Sequence, residues 1–150
     1  ANLAKAICSI GAVKGFEIGD GFEAAKTVGS VNNDEFCAVG KGDGWFLETA
    51  GAGKIGKRTN HAGGVLGGIS DGSEIVFRAA FKPTPSIASV QKTVNRDGEE
   101  MEVTIKGRHD PIIVPRAVVV AEMMAAFTVA DMMLAGMTSR MDRIREFYMI

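Results

Sequence analysis

An α+β chain is what this sequence predicts, and three observations carry the reading. A β-hairpin signal runs through "SVQKTVNRDGEEMEVTIKG", a long apolar helix follows Pro115, and short strand candidates lie between glycine-rich loops. The chain has 150 residues, enough for one domain of ordinary size and not for two. Its apolar fraction of 46% and charged fraction of 23% are those of a folded protein.

Asn2 to Ile10 reads as a helix with Leu3, Ala6, Ile7 and Ile10 on one face, broken by Gly11. "VKGFEI" is a short strand candidate and "GFEAAKTVG" a weak helix stopping at Gly29. Periodicity fails from Ser30 to Asn60, which reads as a long unpatterned loop. Gly72 to Lys82 reads as a strand. In the hairpin, Val90, Lys92 and Val94 alternate with their neighbours, as do Met101, Val103 and Ile105, with Arg96-Asp97-Gly98 between the runs. Pro115 suits the first turn of a helix from Arg116 to Leu134, which Gly136 ends. "SRMDRIREFYMI" is a short amphipathic tail, fit for packing or assembly.

Charge narrows the partners. Seventeen basic and 18 acidic side chains leave a net charge of −1, without the basic excess that nucleic acid or an anionic membrane requires. Cys8 and Cys37 have no metal or CxxC spacing, so reduced cytosolic thiols are expected. Ala117 to Gly136 is apolar enough to raise a membrane span, but Glu122 and Asp131 interrupt it, so a buried soluble helix is expected. The start lacks Met and opens as though mid-helix, as one part of a longer protein would.

Several stretches invite chemistry. "GAGKIG", Gly51 to Gly56, matches a dinucleotide fingerprint, yet "KRTNHAGG" follows where a helix must open. One frame wider it matches a phosphate loop, but Arg58 stands where magnesium needs Ser or Thr, so both matches read as accidents. In "NHAGGVLGGISDG" two glycine pairs bracket Val65-Leu66, which suits either a flat ligand or a second backbone approaching closely. "KPTPSI" offers Lys82, Thr84 and Ser86 on a backbone fixed by Pro83 and Pro85, either an anion or polar-ring cradle or a plain strand exit. In "GRHDP", Arg108 suits a bidentate grip on an anion, and Asp110 suits proton acceptance. The plain alternative there is a surface ion pair worth under about 1 kcal/mol. His61 and His109 lack metal-pair spacing, and the Met-rich helix face is core or helix interface.

"SIGAVKGFEIGDGF", "NHAGGVLGGISDG", "KPTPSI", "GRHDP" and "RAVVVAEMMAAFTVAD", in this order, resemble the C-terminal half of the chorismate synthase family, from the first helix to about Leu134. The resemblance implies a β-α-β sandwich of antiparallel sheets around long helices, of which residues 1–150 are the C-terminal part. It implies a cytoplasmic homotetrameric flavoprotein lyase of the shikimate pathway, in aromatic amino acid biosynthesis, with no nucleic acid or membrane partner. Its reaction would convert 5-enolpyruvylshikimate 3-phosphate to chorismate and phosphate, a formal anti-1,4-elimination requiring reduced FMN. The family's flavin contacts fall on Gly11, Ala12, Gly67, Lys82, Pro83, Thr84, Pro85, Ser86 and Arg108. Relatives often carry asparagine where Gly11 stands. Arg108 also lies where substrate anions bind, and Asp110 matches the catalytic aspartate thought to deprotonate flavin N5. The family's N-terminal half, with two functional histidines and most substrate arginines, is not in this sequence. A truncated module that binds FMN or partners without catalysis is therefore the alternative.

Overall fold

Helix α1 (Asn2–Cys8) forms where Leu3, Ala6 and Ile7 align on one face, and Ile7 is completely buried. It ends two residues before the expected Ile10, because the Ser9 hydroxyl and N–H both turn back to the Ala6 carbonyl, at 2.6 and 3.2 Å. The computed structural model describes residues 1–38, 45–46 and 55–149. It has an α+β composition, with helices and small two- and three-stranded sheets. The chain forms two compact units, Ala1–Ala80 and Phe81–Ile150.

In the first unit, β1 (Val13–Ile18) occupies the expected "VKGFEI" and is sheet partner to β7 (Phe77–Phe81). Phe16 stacks on Phe77 with centroids 5.5 Å apart, and Arg78 donates to Glu17 at 2.8 Å. The expected weak helix forms only as a 3-10 turn (Gly21–Lys26), and a separate single turn, α2 (Gly29–Asn32), begins where that helix was expected to stop. The cause is local: the Thr27 hydroxyl donates to the Ala24 carbonyl while its backbone turns extended.

The unpatterned loop expected from Ser30 to Asn60 is corrected in part. β2 (Phe36–Ala38), β3 (Trp45–Phe46) and β4 (Ile55–Lys57) form an antiparallel sheet in the order β2-β4-β3. Strands of two and three residues are too short to show alternation. β5 (Val65–Leu66) and β6 (Ile69–Ser70) then form a minimal hairpin. The strand expected from Gly72 starts only at Phe77, because Val76 spends its N–H on the Gly63 carbonyl and its carbonyl on the Gly19 N–H.

In the second unit, β8 (Val90–Val94) and β9 (Glu100–Thr104) pair antiparallel, with Val90 opposite Thr104 and Val94 opposite Glu100. The turn is held by the Asn95 side chain, which accepts the Asp97 and Glu99 N–H groups at 2.9 Å, and by Gly98 at φ +84. Helix α3 (Val114–Met137) carries Pro115 in its first turn, as expected. Gly136 does not end it: the helix runs one residue further and stops where the Ser139 N–H and hydroxyl return to the Gly136 carbonyl.

The expected burial of α3 is not supplied by these residues. Only Ala117 is buried, while Val119, Met123, Phe127 and Leu134 are exposed. The helix is long and apolar enough, by length and composition, to cross a membrane. α4 (Met141–Tyr148) forms the amphipathic tail, opened by Arg140 donating to Asp142.

Candidate functional site

The residues of "KPTPSI" leave β7 and those of "GRHDP" leave β9, and the second unit brings the two segments into contact. Ser86 Oγ lies 3.1 Å from His109 Nδ1. His109 Nε2 lies 3.1 Å from the Ile105 carbonyl, which fixes the ring against its own strand exit. Pro85 is pinned through its carbonyl, which accepts from the Gln91 side chain at 2.9 Å. The Thr84 hydroxyl is buried with no hydrogen-bond partner among the described residues. A buried orphan hydroxyl is costly, and its place on a proline-fixed backbone suits a polar ligand edge. Lys82, Pro83, Pro85 and Arg108 are exposed, and no described ion pair includes Arg108.

Asp110 has a different cation from the one its neighbours suggest. Its carboxylate pairs with Arg116 in the first turn of α3 and not with adjacent Arg108. Both partners stay wet, with Arg116 at 70% and Asp110 at 49% exposure, so the pair contributes no more than about 1 kcal/mol. Arg116 thus aims the carboxylate and leaves the Arg108 guanidinium available to an anion. No sequence spacing announced Arg116, since a separation of six with a loop between has no helical meaning.

In the first unit, Gly11 is exposed, and a Cβ placed on it would meet nothing within 4 Å. An asparagine there would fit without a clash. Ala12 holds φ +70, a left-handed conformation rare for a residue with a Cβ. Such strain, of order 1–3 kcal/mol, concentrates where a backbone must meet a ligand.

The two glycine pairs separate into two roles. A Cβ on Gly63 would stand 2.3 Å from the Gly19 nitrogen, so that pair is thinned for a second backbone. Gly67 and Gly68 form the two-residue β5–β6 turn with φ +58 and +86, the signs of a type I′ turn. Nothing lies within 4 Å of a Cβ at either, so this turn is the pair open to a ligand.

A carboxylate network that the sequence did not announce holds the non-strand segment leading to that turn. Asp34 accepts from the Thr59 hydroxyl at 2.8 Å and from the His61 and Ala62 N–H groups at 2.7 and 3.0 Å. Burial pushes the Asp34 carboxyl up, but these bonds, with the nearby Lys57 charge, outweigh it and hold it below its ordinary value. Asp20 accepts from Asn32 at 3.1 Å and faces His61 Nδ1 at 2.7 Å. Asn60 accepts the Gly64 N–H and donates to the Glu74 carbonyl. The signal was present as Asp and Asn without a helix to cap, in a segment read as a loop.

The accidental nucleotide motifs are settled where the structure describes them. Residues 51–54 lie outside the described residues, but Ile55–Lys57 is a strand and opens no helix. Lys57 is buried against Asp71, with its ammonium over the ring of Phe36. Cys8 and Cys37 are free, and no described group of His, Cys, Asp and Glu could hold a metal ion. An apolar groove of about 430 Å³ between the end of α3 and α4 touches none of the candidate residues.

Comparison with known proteins covers these segments. The family model described as chorismate synthase matches residues 1–134. A chorismate synthase of Lachnospira eligens is 66% identical over 148 residues, spanning 99% of this chain and 37% of the relative. That of Methanosarcina barkeri is 56% identical over 135 residues, spanning 89% of this chain and 34% of the relative. A crystal structure of chorismate synthase superposes with a TM-score of 0.63 at 32% identity, over 98% of this chain and 34% of that one. The chain therefore spans little more than a third of the length of the relatives it matches. With the match running from α1 through most of α3 and taking in both candidate segments, this chain belongs to the chorismate synthase family.

Proposed function

We propose that the protein carrying this chain eliminates phosphate from 5-enolpyruvylshikimate 3-phosphate to give chorismate, with reduced FMN as cofactor. The observation that carries this reading is the Ser86–His109 contact, which joins the two most specific family segments in one unit. The overall reaction balances without net redox: the C3–O bond to phosphate and a C6–H bond break, and a second ring double bond forms.

The residues present fit a flavin. Thr84 supplies a buried hydroxyl awaiting a partner, and the Gly67-Gly68 turn leaves open space for a flat ring. In this reading the cofactor contacts are Gly11, Ala12, Gly67, Lys82, Pro83, Thr84, Pro85, Ser86 and Arg108. When bound, reduced FMN would supply transient electron density for the departure of phosphate. Arg108 and Lys82 would hold anionic groups, and Asp110 would accept a proton from the cofactor. The remaining substrate contacts would come from the rest of the protein. The same reading makes the protein cytoplasmic and homotetrameric, with α3 covered by protein inside a β-α-β sandwich.

The test is anaerobic turnover by the full-length protein, with and without dithionite-reduced FMN. Turnover only with the reduced cofactor is expected, and equal rates in both would sink the reading. A second expectation compares two arginines. Arg108→Ala should weaken substrate or FMN binding about tenfold or more, as loss of a charge-assisted contact does. Arg96→Ala, in the hairpin turn, should change it little. Titration calorimetry on both variants decides, and equal losses would count against Arg108 as the anion contact.

A further inference from the structure

We propose that His109 is a positioning residue that fixes the Ser86 hydroxyl with its oxygen lone pairs, and not its proton, turned toward the ligand. The proposal rests on the reading that Ser86 meets FMN and adds what Ser86 does there.

The direction follows from donor arithmetic. The Ile105 carbonyl can only accept, so His109 Nε2, 3.1 Å away, carries the proton. In the neutral ring Nδ1 is then a bare acceptor, and Ser86 Oγ at 3.1 Å must donate to it. A hydroxyl has one proton. With that proton committed to His109, Ser86 can offer a third group nothing but lone pairs, and it selects an N–H or O–H donor on the ligand.

Thr84 provides the contrast within the same loop. Its hydroxyl is buried and uncommitted among the described residues, so it remains free to donate to a ligand carbonyl. Two hydroxyls two residues apart on a proline-fixed backbone thus differ in polarity. Together they suit a ligand edge that carries an N–H donor and a carbonyl acceptor side by side, as the pyrimidine edge of a flavin does. The same bond ties this loop to the segment that carries Arg108 and Asp110 on either side of His109.

A merely structural His109, holding its loop through Ile105, predicts a different pattern of variants. Asparagine places an amide oxygen where Nδ1 stands and keeps the Ser86 acceptor, but loses the Ile105 contact. Glutamine reaches the Ile105 carbonyl and leaves Ser86 without an acceptor. FMN titration of the full-length protein is therefore run on His109→Asn, His109→Gln, Ser86→Ala and the Ser86→Ala/His109→Gln pair. His109→Gln and Ser86→Ala are each expected to weaken FMN about tenfold, the size of one lost neutral hydrogen bond. The double variant should lose no more than either single one, and His109→Asn should stay within about threefold of the parent. Additive losses in the double variant, or Gln binding better than Asn, would overturn the assignment.

A flavin-free readout separates this failure from failure of the functional reading. Nitrogen NMR of histidine-labelled protein, at a pH where the ring is neutral, should show His109 protonated on Nε2 and bare on Nδ1. Replacing Ser86 with alanine should move the Nδ1 signal alone. A proton found on Nδ1 overturns the proposal whatever the protein binds. A parent protein with the expected NMR pattern that binds no FMN overturns it through the reading beneath it.

Discussion

Asp71→Ala is expected to cost about 3–5 kcal/mol of folding stability, the range for stripping one partner from a buried ion pair. Lys57 is 3% exposed and Asp71 17%, so the ammonium left behind would lose its contact counter-charge without gaining water, and keep only the more distant Asp34 carboxylate. The ring of Phe36, 5.8 Å from Nζ, is a weak substitute. Asp71 also accepts the Ser73 N–H at 2.9 Å, so its loss loosens the exit of β6 toward Gly72. Denaturant unfolding of the full-length protein measures the cost. The second arm is Lys57→Met with Asp71→Ala, which removes the stranded charge and should recover at least half of the loss. A single variant costing less than about 1 kcal/mol would mean that the pair behaves as an exposed one.

The same pair sets a pH dependence. Burial raises the Asp71 carboxyl, but the Lys57 hydrogen bond and then the Ser73 N–H bond outweigh it, leaving a folded value below the ordinary 3.8. Asp34 lies below its ordinary value for the parallel reason that its three hydrogen bonds favour the charged form. A carboxyl lowered on folding contributes stability that is fully present above the ordinary value and lost as pH falls through the folded one. The parent should therefore lose stability steadily on acidification below about pH 4, with Asp71→Ala showing a shallower acid limb. An unchanged slope would remove Asp71 from that account.

What the sequence reveals about this molecule divides by distance along the chain. The β8–β9 hairpin was legible because the alternation and the Arg96-Asp97-Gly98 turn all lie within fifteen residues of one another. The start of α3 was legible because Pro115 marks it locally, whereas its end was not: Gly136 keeps helical backbone and the stop is made by Ser139. The β2-β4-β3 sheet was invisible because Phe36 finds Lys57 across 21 residues, with strands too short for a period. The site follows the same division. Residues 82–86 and 108–110 could be named from their family segments. Their junction, Ser86 on His109 across 23 residues, and the Asp110–Arg116 pairing are tertiary facts that no local spacing encodes.

On the proposed function, Asp110→Asn is expected to lower turnover of the full-length protein by about 10²–10⁴-fold, the usual contribution of a positioned acid or base. The carboxylate also carries an ion pair. Its ion pair with Arg116 is largely solvated at both ends, so removing the charge should cost the fold no more than about 1 kcal/mol. Asparagine keeps the shape and one oxygen for Arg116, but the amide cannot take a proton. Stability and FMN affinity should therefore hold while single-turnover rate with reduced FMN falls. Arg116→Gln separates the two roles: it removes the ion pair and leaves the carboxylate, and should slow turnover far less than Asp110→Asn. If Asp110→Asn stays within about threefold of the parent, below the acid–base range, Asp110 is an ion-pair residue and the proton acceptor lies elsewhere. If Arg116→Gln falls as far as Asp110→Asn, the orientation that Arg116 imposes is what the reaction needs, and the carboxylate works only when held.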